Sequence, residues 1–364
     1  MVVLASCCRS RARLVPSALV LAAALALAPV GAVAAPAHPA TAALSWTPLG
    51  AYSGYEFTSL VSPPGNACVV AWTALGNGGL GVSTDCGNQY ARLFLVSAHD
   101  VTAQNENVGY VAAGTLGMAK TIDTGSNWFD INLGLPAQHD ARAVILHVAH
   151  PESVVCGLYN GGVFVGGPKA AGNDTIQWAP LNGGLTDLRV RALARVRGGS
   201  FLLAATDGGI FRWGGAAWSL VAPGVIANAI VIDAADSSRA WAATETGVQR
   251  STNFGSSWFP SSANLPPVPV NDVARRSDNP QVVYAGTRGA GVWESVDGGA
   301  SWRKFGPDLP GDNDVRAVLC TVGAQTADDA EVFAGTRANG LFRAGYSTPA
   351  LPTSWGRVKG NYRR

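Results

Sequence analysis

The sequence predicts an all-β protein, a seven-bladed β-propeller, and three observations carry that expectation. A unit made of a short apolar strand, a glycine turn and a second apolar strand recurs seven times at intervals of 38–49 residues. That period, with room for four short strands, is what a propeller blade requires. A second motif, Ser/Thr-x-Asp/Asn-x-Gly-x-Ser/Asn-Trp, begins 6 to 8 residues after the anchor threonine of several of these units. Composition agrees: among 364 residues there are 44 Gly, 21 Pro and 11 Trp, and only 14% are charged. Glycines every few residues exclude a coiled coil or helical bundle, and 48% apolar residues exclude a disordered chain.

The strong copies of the first unit are Val111-Ala-Ala-Gly-Thr-Leu-Gly117, Leu203-Ala-Ala-Thr-Asp-Gly-Gly209, Trp241-Ala-Ala-Thr-Glu-Thr-Gly247, Tyr284-Ala-Gly-Thr-Arg-Gly289 and Phe333-Ala-Gly-Thr-Arg-Ala-Asn-Gly340. Val70-Ala-Trp-Thr-Ala-Leu-Gly76 and Val155-Cys-Gly-Leu-Tyr-Asn-Gly161 are weaker copies. Their anchors are Thr73, Thr115, Tyr159, Thr206, Thr244, Thr287 and Thr336, one per blade. Trp46-Thr-Pro-Leu49 has the look of an outer strand but precedes the first blade. It competes with Trp355-Gly-Arg-Val358 for the task of completing the last blade, and closure by one of them removes a sticky sheet edge.

The second motif reads Thr121-Ile-Asp-Thr-Gly-Ser-Asn-Trp128, Ser251-Thr-Asn-Phe-Gly-Ser-Ser-Trp258 and Ser295-Val-Asp-Gly-Gly-Ala-Ser-Trp302. Ser83-Thr-Asp-Cys-Gly-Asn-Gln-Tyr90 is degenerate, and Trp218 marks a worn copy. In a hairpin, the side chains of Asp85, Asp123, Asn253 and Asp297 bond backbone N–H groups, the glycine takes positive φ, and Trp128, Trp258 and Trp302 plug between blades. The motif resembles the Asp-box, or BNR, repeat, and the resemblance covers nearly all of residues 44–360. It implies a folding device at the turn between the third and fourth strands of a blade, so function has to be argued from a site elsewhere.

The ends read differently. Arg9, Arg11 and Arg13 precede an uncharged apolar run from Leu14 to Val33, and Ala32-Val33-Ala34 supplies a small-x-small cleavage site. That order predicts a secretory signal peptide over 1–34, a linker over 35–43, the propeller over 44–360 and a basic tail over 361–364. The expected mature chain is secreted or periplasmic, without a transmembrane segment, and monomeric. It carries 23 basic and 24 acidic residues, and four of the basic ones lie in the last eight positions. A nucleic-acid partner, which needs clustered basic charge on the body, is not expected.

Cys68 and Cys86 flank a turn centred near Asn77-Gly78, which places them opposite each other and predicts a disulfide. Cys156 and Cys320 fall in blades 3 and 7 and are expected as buried thiols. His147 and His150 point to opposite faces of a strand, and no Cys-x-x-Cys pattern appears, so neither metal nor cofactor is expected.

The inner strands begin Asp140-Ala-Arg142, Asp187-Leu-Arg-Val-Arg191 and Asp314-Val-Arg316, and two turns add Arg288 and Arg337. Asn228 and Asn271 hold the matching positions of blades 5 and 6. Five arginines thus ring one face, either as a site for an acidic protein or glycan ligand, since guanidinium forks grip carboxylates, or as loop pins paired with the preceding Asp. Asp207 and Glu245, on turns of adjacent blades, form the alternative catalytic pair of a glycoside hydrolase. Asp-box propellers include sialidases, but their Arg-Ile-Pro segment is missing here. Single propellers of the photosystem II assembly-factor type are closer in length. That resemblance implies a non-catalytic scaffold with a basic patch that binds protein clients.

Overall fold

The computed structural model describes residues 44–50, 54–62, 70–76, 78–83, 85, 90–94, 96–104, 107–146, 153–168, 176–195, 201–311, 313–322 and 330–345. Among them there is no helix; the strands form seven separate four-stranded antiparallel sheets. Six sheets take four strands in chain order, and the inner strand comes first: Phe57–Val61, Asp100–Ala103, Ala141–Leu146, Val190–Arg195, Ala227–Ile232 and Val270–Arg275 for blades 1 to 6. Blade 7 begins with Val315–Val322 and is completed by Thr47–Leu49, which pairs with Leu341–Arg343. The first of the two segments competing for closure therefore seals the ring, and Trp355-Gly-Arg-Val358 lies outside the described residues.

The second strand of a blade is covered on both faces by its neighbours. Val70–Ala74, Val154–Leu158, Leu202–Thr206, Ala240–Thr244 and Val283–Thr287 are buried along their whole length, so they read as unbroken apolar runs without alternation. Small residues recur in them because the next blade leaves no room. A Cβ on Gly286 would come within 2.8 Å of Val315 Cγ1, and one on Gly335 within 2.7 Å of Phe57 Cβ. Each apolar cluster spans two blades, as where Tyr284 and Phe305 of blade 6 meet Trp46 and Val332 of blade 7. Indole N–H groups stitch the same seams: Trp46 donates to Pro307 O, Trp178 to Ile131 O, Trp218 to Leu181 O and Trp302 to Ser261 O.

The Asp-boxes form the expected turns between third and outer strands. Asp123 Oδ1 accepts from Asn127 N and Thr121 Oγ1, each at 2.9 Å, and Gly125 N donates to Thr121 Oγ1 at 2.9 Å. Asp297 repeats this with Ser301 N at 2.9 Å and Ser295 Oγ at 2.7 Å. Asn253 accepts from Ser257 N at 2.9 Å, while its Nδ2 donates to Ser257 Oγ. Asp85 keeps the bond from Ser83 Oγ, at 2.8 Å. Hydrogen bonds from Asn127 hold the Asp123 carboxyl below its ordinary pKa. The residue before the glycine shares its left-handed conformation: φ is 59° at Thr124 and 61° at Phe254, against 86° and 72° at Gly125 and Gly255. The three tryptophans all pack between blades but differ in their polar end, for Trp128 and Trp258 donate back to Gly125 O and Gly255 O of their own turns.

Register corrects the anchors of the first three blades. Thr206 and Thr244 end their second strands opposite Gly209 and Gly247, whereas the equivalent residues are Ala74 opposite Gly79 and Leu158 opposite Gly162. In blade 2 Ala113 donates to Gly117 O, as Thr336 does to Gly340 O. Thr73, Thr115 and Tyr159 are therefore one or two positions out of register. In blades 4 to 7 the Thr hydroxyl spans the turn, donating to the glycine carbonyl opposite, at 2.6–3.0 Å. That bond explains why threonine marks those blades. Cys156 and Cys320 are buried free thiols in blades 3 and 7, and burial pushes the Cys320 thiol up to about 12. Cys68, Cys86, His147, His150 and the two ends of the chain, 1–34 and 361–364, lie outside the described residues.

Candidate ligand-binding mouth

Inner strands meet around a central opening, and a β-bulge sits near the start of six of them. The register slips between Phe57 and Ser59, Ala141 and Ala143, Val190 and Ala192, Ala227 and Ala229, Val270 and Asp272, and Val315 and Ala317. The extra residue in each is Thr58, Arg142, Arg191, Asn228, Asn271 or Arg316. A bulged residue leaves the ladder and its side chain is re-aimed. All six, with His99 at the corresponding place in blade 2, line one cavity of about 420 Å³. Arg288 and Tyr159 reach it from the turns between second and third strands, and Leu75 and Phe57 form its apolar side.

Four of the five predicted arginines therefore converge on one mouth: Arg142, Arg191, Arg288 and Arg316. Arg337 is exposed on the turn of blade 7 and does not line the cavity. Each converging arginine also has a carboxylate partner. Arg142 makes a two-pronged pair with Asp140 at 2.8 and 2.7 Å and stacks over the Tyr159 ring. Arg316 bonds Asp314 at 3.0 Å and stands 3.6 Å from Glu56. Arg191 departs from the expected pattern. It pairs with Asp207 on the turn of its own blade, and Arg189 takes Asp187.

Asp207 and Glu245, the alternative catalytic pair, are both part of this network. Asp207 accepts from Arg191 Nε and Tyr159 OH and lies 3.4 Å from Arg189. Glu245 accepts from Asn228 Nδ2 at 3.1 Å and from Arg288 at 3.3 and 3.4 Å. The bonds continue through Arg191 to Asn228, Arg288 to Asn271 and Asn271 to Asp314. A chain of polar contacts thus runs from Tyr159 in blade 3 around to Glu56 in blade 1. Asn228 also donates to Val270 O, Asn271 to Val315 O and Thr58 to Ala98 O, so each fastens its blade to the next.

One layer below the mouth lie two carboxylates that the sequence reading missed. Asp100 Oδ2 accepts from Val144 N of blade 3, and Asp272 Oδ2 from Val318 N of blade 7, at 3.0 and 2.8 Å. Their other oxygens accept from Val101 N and Val273 N. Burial pushes Asp100 up to about 6 against these bonds and one from Ser59. Burial pushes Asp272 up to about 7, and the charge of Asp100 adds to it. Burial, and then Arg142, bring His99 down to about 4, which leaves a neutral imidazole in the mouth at neutral pH. Thr58 and His99 were legible in principle from the recurring triplet apolar–polar–small or acidic: Phe57-Thr-Ser59, Ala98-His-Asp100, Ala141-Arg-Ala143 and Val270-Asn-Asp272.

No known family profile matches the chain, and no curated protein sequence does. Solved structures do. YCF48 from Cyanidioschyzon merolae superposes with a TM-score of 0.62 at 17% identity, covering 84% of this chain and 99% of its own. A structure of YCF48 bound to a D1 peptide gives 0.56 at 16% identity, covering 84% and 98%. The extracellular domain of the putative hybrid two component system BT3049 from B. thetaiotaomicron gives 0.64 at 11% identity. The match covers 85% of this chain but only 42% of that larger one. At these identities the likeness concerns the fold: the chain is a seven-bladed β-propeller structurally similar to YCF48.

Proposed function

We propose that this propeller is a non-catalytic binding protein that takes a segment of a client protein at the arginine-lined mouth. The observation that carries the reading is convergence: side chains from all seven blades, four of them guanidinium groups, line one cavity open to solvent. The internal carboxylates hold the arginines in place before a ligand arrives, which lowers the ordering cost of binding. A structural neighbour of the same fold, matched over 98% of its own chain, has been solved with a peptide bound, which supports a peptide as the kind of ligand. Asp207 and Glu245 spend their oxygens on arginine, asparagine and tyrosine donors, an arrangement suited to pinning the rim.

The test uses protein lacking residues 1–34 and a panel of fluorescent dodecapeptides, each acidic member matched by a version with Gln for Glu. Fluorescence anisotropy should show binding to acidic peptides that weakens with salt and falls about tenfold in Arg288→Ala. A parallel panel of aryl glycosides and a sialyl substrate should show no turnover. Hydrolysis abolished by Glu245→Gln would overturn the reading, as would binding unaffected by Arg288→Ala.

A further inference from the structure

The turn between second and third strands presents one equivalent residue per blade to the mouth face. Its backbone N–H marks the position, donating to the carbonyl just before the inner strand: Leu75 to Glu56, Tyr159 to Asp140, Asp207 to Arg189, Glu245 to Ile226, Arg288 to Pro269 and Arg337 to Asp314. Gly114 holds the place in blade 2. Around the ring the position is uncharged in blades 1 to 3, acidic in blades 4 and 5, and basic in blades 6 and 7.

The charges are not equally committed to partners. Both acids are already engaged, Asp207 by two arginines and the Tyr159 hydroxyl, Glu245 by Asn228 and Arg288. Arg288 holds its partners at 3.3–3.5 Å and is 42% exposed, whereas Arg142 holds Asp140 at 2.7 and 2.8 Å. Among the described residues no carboxylate pairs with Arg337. The guanidinium groups least committed to a partner therefore sit on the turns of blades 6 and 7, while Glu56, 3.6 Å from Arg316 in the cavity lining, sets a carboxylate between blades 7 and 1. Across from those turns, the large apolar side chains exposed on this face include Val96, Leu116, Leu133 and Leu188, at 39%, 56%, 46% and 40% exposure. Val96 leads into blade 2, Leu116 lies on its turn, and Leu188 leads into blade 4, where its carbonyl accepts from Gly162 N on the turn of blade 3.

We infer that the mouth face reads a client peptide by two features at once, an acidic side chain over the blade 6–7 arc and a large apolar side chain over the blade 1–3 arc. The inference rests on the peptide-binding reading above and adds to it a composition rule and an orientation. Arg288 and Arg337 take the carboxylate, and Leu75, Leu116 and Leu188 take the apolar group. The pinned Arg142 and Arg316 frame the opening. A sulfated polysaccharide offers the charge without the apolar group and so satisfies half of the face.

The test takes the tightest acidic dodecapeptide of the anisotropy panel and replaces its large apolar residues by alanine. Affinity should fall at least about tenfold, and Leu116→Ser with Leu188→Ser should lower it to the same extent. On the alanine peptide those two substitutions should have no further effect. Arg288→Ala with Arg337→Ala should abolish the gain that an acidic residue gives while leaving the apolar dependence in place. All four sites are exposed turn or linker positions, and circular dichroism checks that the variants fold. Acidic peptides that bind equally well without apolar residues would overturn the inference and leave the function reading standing, as would heparin binding that competes fully and ignores Leu116→Ser. Absence of binding by any peptide overturns both.

Discussion

Replacing Asp272 by Asn should change how stability depends on pH, and the structure sets the size of the change. Asp272 lies half-buried between the inner strands of blades 6 and 7, where desolvation raises it from 3.8 to about 7. Each unit corresponds to about 1.4 kcal/mol. Between roughly pH 4 and 7 the folded state holds a proton that the unfolded chain has released, so stability falls as pH rises through this window. The cost approaches ~4 kcal/mol once the folded carboxyl is fully ionised, and about 3 kcal/mol of it develops between pH 5 and pH 8. Asp100, raised to about 6, contributes in the same direction, and because the two charges interact their effects do not simply add. An amide has no charge to lose, but it can accept only with Oδ1. Its Nδ2 then faces Val318 N or Val273 N, a pH-independent cost of about 1–3 kcal/mol. Urea unfolding followed by tryptophan fluorescence, to which the buried Trp72 and Trp241 report, should show wild type well ahead of Asp272→Asn at pH 5. The gap should close by about 3 kcal/mol at pH 8. Two parallel pH curves would refute the assignment of the proton to this layer.

Other perturbations separate the pins from the ring seal. Arg142→Ala should cost about 1–2 kcal/mol in the same assay, from a half-exposed ion pair and the lost stack on Tyr159, whereas Arg288→Ala should stay within about 0.5 kcal/mol of wild type. Trp46→Ala removes the indole bond to Pro307 O and the edge contact on Phe305 at the closing seam, so unfolding free energy should drop by about 3 kcal/mol or more. Thiol titration of unreduced protein lacking residues 1–34 should find no reactive thiol in the native state. After denaturation it should find the two of Cys156 and Cys320; four would mean that Cys68 and Cys86 are not paired.

The architecture was legible because each blade repeats the same physical solution. Asp123, Asn253 and Asp297 close the same turn with the same donors, so the motif survives even the exchange of Asp for Asn. Arg142, Arg191 and Arg316 could be placed on one face because they follow an acidic residue at the start of an apolar run. The mouth residues Thr58 and His99 lacked that flag and were missed. The anchors slipped in blades 1 to 3 for a related reason: Ala74, Ala113 and Leu158 cannot make the hydroxyl bond that marks threonine in the other blades. Asp100 and Asp272 were invisible as functional groups. An aspartate beside an apolar run looks like the end of a strand, and only the bonds to Val144 N and Val318 N show that it joins one blade to the next. The partner of Arg191 depended on which turn folds back over the inner strand, a tertiary fact absent from local spacing.

Closure by Thr47–Leu49 has a consequence for the order in which the ring is made. These residues are among the earliest of the described chain to be synthesised, and the strand they pair with is among the last. Blades 1 to 6 can form hairpin by hairpin from neighbours in sequence, but the last seam must wait for the whole chain. Until then Trp46 has no completed blade to plug. The early segment has to remain unpaired and uncommitted while every other blade forms, and any competitor for the edge at Leu341–Arg343 acts in that interval. A single three-residue strand thus times the final step of assembly, after which the first described strand is held by the last.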